Sequence, residues 1–300
     1  MHHASTVDFL ATCATLTDDT LAQRLPDETI EPARLHSAMR YSVLGGGKRI
    51  RPALAMAAAT AVGGQPEQAL VAACAVEVVH AYSLIHDDLP AMDDDELRRG
   101  RPTTHIQYDE ATAILAGDAL QALAFEWLST EPGLTVETRL AMVRRLARAS
   151  GSVGMVGGQA IDLGAVGKNL SLEQLEQMHR RKTGALIEAC VHLGVLSVKG
   201  DQGGETLQQA QLATYARAIG LAFQVQDDLL DIEGDTSVIG KPQGSDLARS
   251  KPTYPALMGV DGARDYLATL LQQCRQSLAT FGPEADALRG MAQFVVSRRY

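Results

Sequence analysis

Apolar side chains recur with the 3.6-residue period of an α-helix through most of this 300-residue chain, whereas alternating strand-like runs are scarce. The period predicts helices at 69–89, 111–128, 137–149, 172–197, 207–232 and 263–279. Prolines and glycine pairs stand between these stretches, where they end helices. Residues 69–79 are apolar on nearly every side, which is typical of a helix in the middle of a bundle. We therefore expect an all-α fold, a single helical bundle of about ten helices.

The composition narrows the class of protein further. Hydrophobic residues make up 46% of the chain and aromatic residues 4%, which favours helices around a large core, and no break divides residues 1–300 into separate domains. The net charge of −9 argues against nucleic acid or an anionic membrane as the main partner. The N-terminus has no basic-then-apolar signal, and no apolar run approaches the roughly 20 residues that span a bilayer, so we expect a cytoplasmic protein. Four scattered cysteines have no metal-ligand spacing and are expected to stay reduced: Cys13, Cys74, Cys190 and Cys274.

Two aspartate clusters stand far apart in the chain, each at the end of a predicted apolar helix. Carboxylates this close together repel one another unless a cation neutralises them. Oxygen ligands without nearby His or Cys suit Mg²⁺, which commonly bridges carboxylates to substrate phosphates. The clusters therefore predict a site where metal ions hold a phosphorylated substrate from two sides. Their members are Asp87, Asp88 and Asp93 in the first cluster, and Asp227, Asp228 and Asp231 in the second.

The spacing within each cluster indicates how its carboxylates are presented. Asp227 and Asp231 are four residues apart and share a helix face, while Asp228 lies about 100° round the helix. Pro90 ends or kinks the first helix, so Asp93 must return towards Asp87 through a bend. A solvated acidic helix end is the simpler interpretation of one such cluster, but two clusters with apolar flanks make it unconvincing.

Cations accompany the acids in four places. The glycine-rich segment 45–52 carries three cations but lacks the residues of a Walker loop, and guanidinium groups suit phosphate. A basic pair follows the first acidic cluster, and a Lys-Thr pair lies on a predicted helix. The stretch 233–251 has no helical pattern, and loops of this length are commonly functional. The candidate residues are Lys48, Arg51, Arg98, Arg99, Lys182, Thr183, Lys241 and Lys251.

Two Glu-x-x-His pairs offer a rival chemistry. Glu77–His80 and Glu176–His179 have the spacing that builds di-iron carboxylate sites in helical bundles. Such a site also needs a lone inward glutamate on each of two further helices. It leaves the aspartate clusters and the cations without a role, so we regard it as a distant alternative.

Six motifs occur in an order that resembles a known family. They are the segments 45–52, 87–93, 97–100, 158–163, 182–184 and 223–231. Together they closely resemble the short-chain trans-isoprenyl diphosphate synthases, with the bacterial farnesyl type as the best match. The resemblance covers nearly the whole chain, and the ordered set is far more specific than one DDxxD motif. It implies an all-α homodimer whose protomers each surround a deep central cavity, and the head-to-tail condensation of an allylic diphosphate with isopentenyl diphosphate.

The resemblance also implies a role for each matching residue. About three Mg²⁺ ions would be held by Asp87, Asp88, Asp93 and Asp227, with Asp231 in support, next to Asp228. The allylic substrate, dimethylallyl or geranyl diphosphate, would lie among Arg98, Lys182, Thr183, Gln224, Lys241 and Lys251. Isopentenyl diphosphate would be bound by Lys48, Arg51, His80 and Arg99. Closure of the 233–251 loop would exclude water from the reacting cation.

Other functions on the same fold remain to be weighed. A terpene cyclase needs only one diphosphate site, so Lys48, Arg51 and Arg99 argue against it. A catalytically inactive partner subunit should have lost aspartates, and none is lost. Geranyl or geranylgeranyl diphosphate is the main alternative product to the farnesyl compound.

Product length is predicted to depend on the helix that leads to the first cluster. Ser83 and Tyr82 precede Asp87 by four and five residues, roughly 6 and 7.5 Å along the helix. Ser83 shares the stripe of Asp87 but is too small to stop a growing chain, whereas the Tyr82 ring is large enough to form a floor. An aromatic residue here resembles the bacterial farnesyl pattern. The alternative is that Tyr82 only packs in the core.

Overall fold

The structure, a computed structural model, describes residues 3–168, 170–201, 203, 206–233 and 252–298. Within these ranges the chain is almost entirely helical, which confirms the all-α prediction. A single antiparallel pair of two-residue strands, β1 (Leu97–Arg98) and β2 (Arg101–Pro102), is the only sheet among the described residues. The α-helices are α1 (His3–Arg24), α2 (Ala33–Val43), α3 (Ile50–Ala61), α4 (Leu70–Asp87), α5 (Thr104–Gln107), α6 (Glu110–Thr130), α7 (Val136–Ser150), α8 (Met155–Ala165), α9 (Leu172–His179), α10 (Ala185–Lys199), α11 (Leu207–Glu233), α12 (Tyr254–Ser277) and α13 (Asp286–Ser297).

The centre of the bundle is built from α3, α4 and α10, which are buried along most of their length. Small side chains bring these helices unusually close together. A Cβ atom added to Gly194 on α10 would lie 2.1 Å from the carbonyl oxygen of Ala55 on α3, so only glycine permits this crossing. The tight packing gives the rigid base on which the ends of α4 and α11 present their aspartates.

The helix that carries the first aspartate cluster corrects one expectation. The segment Pro66–Asp87 is long and apolar enough to cross a membrane, although no run of that length was expected. In the bundle, 72% of its most apolar stretch is buried against other helices. Its hydrophobicity therefore reflects a central position in the core, which agrees with the pattern of residues 69–79.

Two of the predicted helices have different boundaries from those expected. The stretch 172–197 is divided into α9 and α10 by a π-helical turn, Arg180–Gly184. The last predicted stretch begins earlier, at Tyr254, where Thr253 caps the helix by accepting a hydrogen bond from the Ala256 amide. Gly259 interrupts α12 with a φ of 76°, which hid its first turns from a search for helical period.

The chain after α4 folds back on itself as the proline suggested. The backbone amide of Asp93 donates a hydrogen bond to the carbonyl oxygen of Asp87 at 2.9 Å. The backbone amide of Asp95 donates likewise to the carbonyl oxygen of Asp88 at 3.2 Å. The hairpin of β1 and β2 follows, turning through Arg99 and Gly100, both at positive φ. Two positive φ values define the tight type I′ turn that matches the twist of paired strands.

Candidate active site

The first aspartate cluster is held by an arginine from the hairpin. Arg98 donates from Nε to both carboxylate oxygens of Asp88, at 2.8 and 2.9 Å, and from Nη2 to Oδ1 at 2.5 Å. Asp88 is almost fully buried, so this bidentate pair compensates a carboxylate that water does not reach. The hairpin turn thus decides where the Arg98 guanidinium lies.

Asp87, the neighbour of Asp88, is a half-buried carboxylate in the same cluster. It accepts one hydrogen bond, from the side-chain amide of Gln159 on α8, at 2.7 Å. Burial raises the pKa of Asp87 to about 6, and repulsion from Asp93 and Asp88 adds to the shift, although Lys182 and Arg98 oppose it. A divalent cation beside Asp87 would remove this cost of ionisation.

The π-helical turn presents a lysine and a threonine between the two clusters. Lys182 Nζ lies 2.5 Å from Asp162 Oδ2 on α8, and Thr183 Oγ1 donates to Gln224 Oε1 on α11 at 2.6 Å. Burial alone would lower the pKa of Lys182, but Asp162, Asp87 and Asp93 together raise it, so the ammonium stays charged. Inserted π turns are frequent at functional sites because they redirect side chains out of the helical repeat.

A glycine on α8 allows the π turn to approach. A Cβ atom on Gly158 would lie 2.1 Å from the backbone nitrogen of Lys182, so any larger residue would push the turn away. Gln159 and Asp162 on the same helix then reach Asp87 and Lys182. One short helix therefore connects the first cluster to the lysine.

The second aspartate cluster lies on the last turns of α11. Arg298, the last described residue, donates from Nη2 to Asp227 Oδ1 at 2.6 Å and to the Phe223 carbonyl oxygen at 2.9 Å. Its guanidinium carbon also lies 3.8 Å from the centre of the Phe223 ring. Asp228 points the other way: it is buried, and its Oδ2 accepts the Tyr254 amide at 2.9 Å, which ties the start of α12 to α11.

A group of cations adjoins the second cluster. Burial lowers the pKa of Arg51, and its Nε is buried with no hydrogen-bond partner in the described part of the chain. The pKa of His80 is held well below its ordinary range by burial and by the charges of Arg51 and Arg99, so this imidazole is neutral at pH 7. Burial also lowers the pKa of Lys48, while Asp227 opposes the shift. A buried donor without a partner, as at Arg51 Nε, and cations that repel one another are typical of an anion-binding pocket.

The structure thus brings most of the predicted residues into one region. Lys182 adjoins the first cluster, and its neighbour Thr183 bonds to α11 one turn before Asp227. Asp231 lies one turn further along α11. Lys241 and Lys251, with residues 234–251 of the proposed closing loop, lie outside the described residues.

Three residues that contact the predicted site were not singled out from the sequence. Gln159 and Asp162 lie inside the 158–163 motif, which could have pointed to them. Arg298 is separated from Asp227 by 71 positions and stands in no motif, so no signal in the sequence could have identified the pair.

The site residues suit Mg²⁺ ions whose ligands are partly supplied by substrate better than they suit a metal site formed by protein side chains alone. No group of three or more His, Cys, Asp or Glu side chains within the described ranges is arranged to hold a metal by itself. Carboxylates with a raised pKa beside several cations instead suit an ion that shares its ligands with substrate phosphates and water.

The side chains of the di-iron alternative are engaged in other contacts. Glu77 pairs with Arg49 at 2.6 Å, and Glu176 accepts from Tyr266. His179 stacks on the Tyr254 ring at 5.5 Å. These contacts belong to core packing and leave the alternative without support.

The two candidate residues for product length lie on α4 below the first cluster. Tyr82 is buried with its ring edge-on to His86, 5.6 Å between centroids, and its hydroxyl faces Gln121 on α6. Ser83 is tied to its own helix, because its Oγ donates to the His80 carbonyl oxygen at 2.8 Å. Of the two residues, Tyr82 is therefore the bulkier obstacle to a growing hydrocarbon chain at the boundary between α4 and α6.

Comparison with known proteins identifies the family of this chain. A family model described as polyprenyl synthetase matches residues 32–281, and the chain belongs to that family. Its relatives include the farnesyl diphosphate synthase of Haemophilus influenzae, 50% identical over 267 residues, which are 89% of this chain and 90% of that protein. The farnesyl diphosphate synthase of Escherichia coli is 47% identical over 294 residues, 96% and 97% of the two chains. A solved FPP/GFPP synthase from Zymomonas mobilis has a TM-score of 0.87 at 39% identity, covering 99% of this chain and 100% of its own.

Proposed function

We propose that this chain condenses isopentenyl diphosphate with dimethylallyl or geranyl diphosphate, head to tail, to give farnesyl diphosphate and diphosphate. The observation that carries the proposal is the junction at the π turn, where Lys182 adjoins the first aspartate cluster and Thr183 bonds to the helix of the second. The identity of 47–50% to two farnesyl diphosphate synthases over nearly the full chain supports the same activity. Geranyl and geranylgeranyl diphosphate remain the alternative products.

The two diphosphates are assigned to different groups of cations. Arg98 and Lys182, both oriented by carboxylates, face the allylic diphosphate, with Thr183, Gln224, Lys241 and Lys251 completing that site. The neutral His80 and the cations Lys48, Arg51 and Arg99 bind isopentenyl diphosphate, and the unpaired Nε of Arg51 supports this assignment.

About three Mg²⁺ ions complete the site. Asp87, Asp93, Asp227 and Asp231 are their proposed protein ligands. The role of Asp88 is different, because both of its oxygens already accept hydrogen bonds from Arg98. When bound, Mg²⁺ supplies the positive charge that stabilises the diphosphate leaving group.

The protein groups orient the substrates and exclude water while the bonds change. The allylic carbon–oxygen bond breaks, the allylic carbon joins the isopentenyl double bond, and the new cation loses a proton. No described side chain is placed as a clear base, so we assign the proton to the released diphosphate. Lys182 and Arg98 stabilise that anion throughout, and closure of the 233–251 loop would keep water from the cation.

The decisive experiment is the product profile from isopentenyl and dimethylallyl diphosphates. We expect fifteen-carbon product with Mg²⁺, no product after EDTA treatment, and recovery when Mg²⁺ is added back. Ten- or twenty-carbon products would support the alternatives. Activity that depends on iron and not on Mg²⁺ would contradict the proposed function.

The protein is also proposed to act as a homodimer. Exposed apolar side chains occur on α6, at Ile114 and Leu115, and at the start of α8, at Val153 and Val156. Exposed apolar side chains that lie together are typical of an interface, and we propose that these take part in one. In light scattering, Leu115→Asp should give monomer, whereas Leu207→Asp, which changes an even more exposed leucine on α11, should leave a dimer. A wild-type monomer would contradict the proposal.

We further propose that the enzyme works in the cytoplasm. The cysteines are buried free thiols, as is usual in chains kept under reducing conditions. The single membrane-length helix found among the described residues is a core helix.

A further inference from the structure

A second cavity lies away from the aspartate clusters, between α7, α10 and the beginning of α11. Its volume is about 750 Å³, enough for a molecule of substrate size. On one side stand Arg144, Arg145 and Arg148 of α7, and on the other His192, Val195 and Leu196 of α10. One carboxylate, that of Asp201, also lines the cavity, so the three arginines leave it with a net positive charge. No step of the proposed reaction uses these side chains.

The cavity is cationic in a chain that is acidic as a whole. The segment 139–148 of α7 contains four arginines and no acid, while the net charge of the protein is −9. Arg144 and Arg148 are one helical turn apart, a spacing at which like charges repel. Neither forms an ion pair within the described residues. Arg145 has Glu188 nearby, whereas the other two guanidinium groups line the cavity without such a carboxylate.

The opposite wall is neutral and largely apolar. Burial lowers the pKa of His192 to about 4, and the charges of Arg145 and Arg217 add to the shift, so its ring is uncharged at pH 7. Val195 is buried and Leu196 half-buried beside it. A ligand that satisfies both walls has a phosphate-rich head for the arginines and a hydrocarbon part for α10.

We propose that this cavity is a second binding site for a prenyl diphosphate, separate from the active site and independent of metal. The inference rests on the proposed function, because that reaction makes a ligand of this class. Guanidinium groups bind phosphate oxygens in bidentate pairs without a bridging cation. Metal independence separates the two sites, since the aspartate clusters need Mg²⁺ to hold a diphosphate.

The test is equilibrium binding of farnesyl diphosphate to the intact enzyme in EDTA, by calorimetry. Wild type should bind one equivalent per protomer, and Arg144→Gln/Arg148→Gln should weaken binding by about tenfold or more, since each lost charge-assisted hydrogen bond is worth that much. Arg139→Gln, on the same helix but outside the cavity, is the matched control and should bind as wild type. Lys182→Gln, which removes a cation of the proposed allylic site, should also bind normally, because the signal then does not come from the active site.

Two further measurements define the ligand. Leu196→Ala should weaken binding of farnesyl diphosphate but not of inorganic diphosphate, because only the former has a tail. Sedimentation with phosphatidylglycerol vesicles separates a free diphosphate from a lipid headgroup. Binding only to vesicles, equal binding by wild type and the double variant, or loss of binding in Lys182→Gln would each overturn the proposal. None of these results bears on the product profile, so failure here leaves the proposed function standing.

Discussion

The pair of Asp88 and Arg98 allows a direct test of how the first cluster is organised. The Asp88 side chain is 4% exposed and that of Arg98 25%, and three N–H···O contacts of 2.5–2.9 Å join them. Breaking a fully buried pair costs about 3–5 kcal/mol, because the remaining charge is left uncompensated. Since Arg98 retains some contact with water, we expect Asp88→Asn to cost less, about 2–3 kcal/mol of unfolding free energy.

The measurement is a double-mutant cycle of Asp88→Asn and Arg98→Gln, by urea unfolding in EDTA. We expect a coupling energy of about 1–2 kcal/mol, because each single change already removes the same contacts. The control cycle uses Arg34 and Asp109, an exposed pair at 2.7 Å that should show little coupling. A coupling at Asp88 and Arg98 no larger than that of the control would refute the reasoning.

The same variants separate metal binding from substrate positioning. Calorimetry with Mg²⁺ and inorganic diphosphate should show metal uptake lost in Asp87→Asn but retained in Asp88→Asn. Both variants should turn over slowly, for different reasons: Asp87→Asn lacks a metal ligand, and Asp88→Asn leaves Arg98 misplaced. Loss of metal uptake in both would return Asp88 to the set of direct ligands.

Three further predictions concern binding, product length and pH. Arg51→Gln should raise the KM for isopentenyl diphosphate by an amount equivalent to about 2–5 kcal/mol and leave the KM for geranyl diphosphate nearly unchanged. Equal effects on the two KM values would argue against separate sites. Tyr82→Ala should shift the products, separated by chain length, from fifteen carbons to twenty or more, and an unchanged length in a folded, active variant would place the floor elsewhere. Burial lowers the pKa of His179 to about 4. Below pH 6.5 the folded state therefore binds fewer protons than the unfolded state, so the stability present above that pH is lost on acidification. His179 should therefore account for about 2 kcal/mol of the loss between pH 7 and pH 5, and urea unfolding of His179→Gln that shows the same loss as wild type would contradict this.

Local regularities in the sequence were sufficient for the fold class and for the outline of the site. The helical period identified most of the long helices, because one buried face imposes its spacing wherever the helix lies. Pro90 between Asp88 and Asp93 indicated a bend, and the hydrogen bond from the Asp93 amide to the Asp87 carbonyl oxygen shows it. Features within about ten residues of one another could be interpreted without knowledge of the packing.

Pairings between distant segments were decided only by the tertiary structure. Arg298 meets Asp227 and Lys182 meets Asp162 because of how helices cross, which no local period encodes. The segment Pro66–Asp87 has the length and apolar character of a membrane helix, and burial by its neighbours makes it a core helix instead. The sequence by itself thus determined the fold class and which residues we propose to bind metal and phosphate. Packing decided which cation compensates each carboxylate, because these interactions depend on distance and exposure in three dimensions.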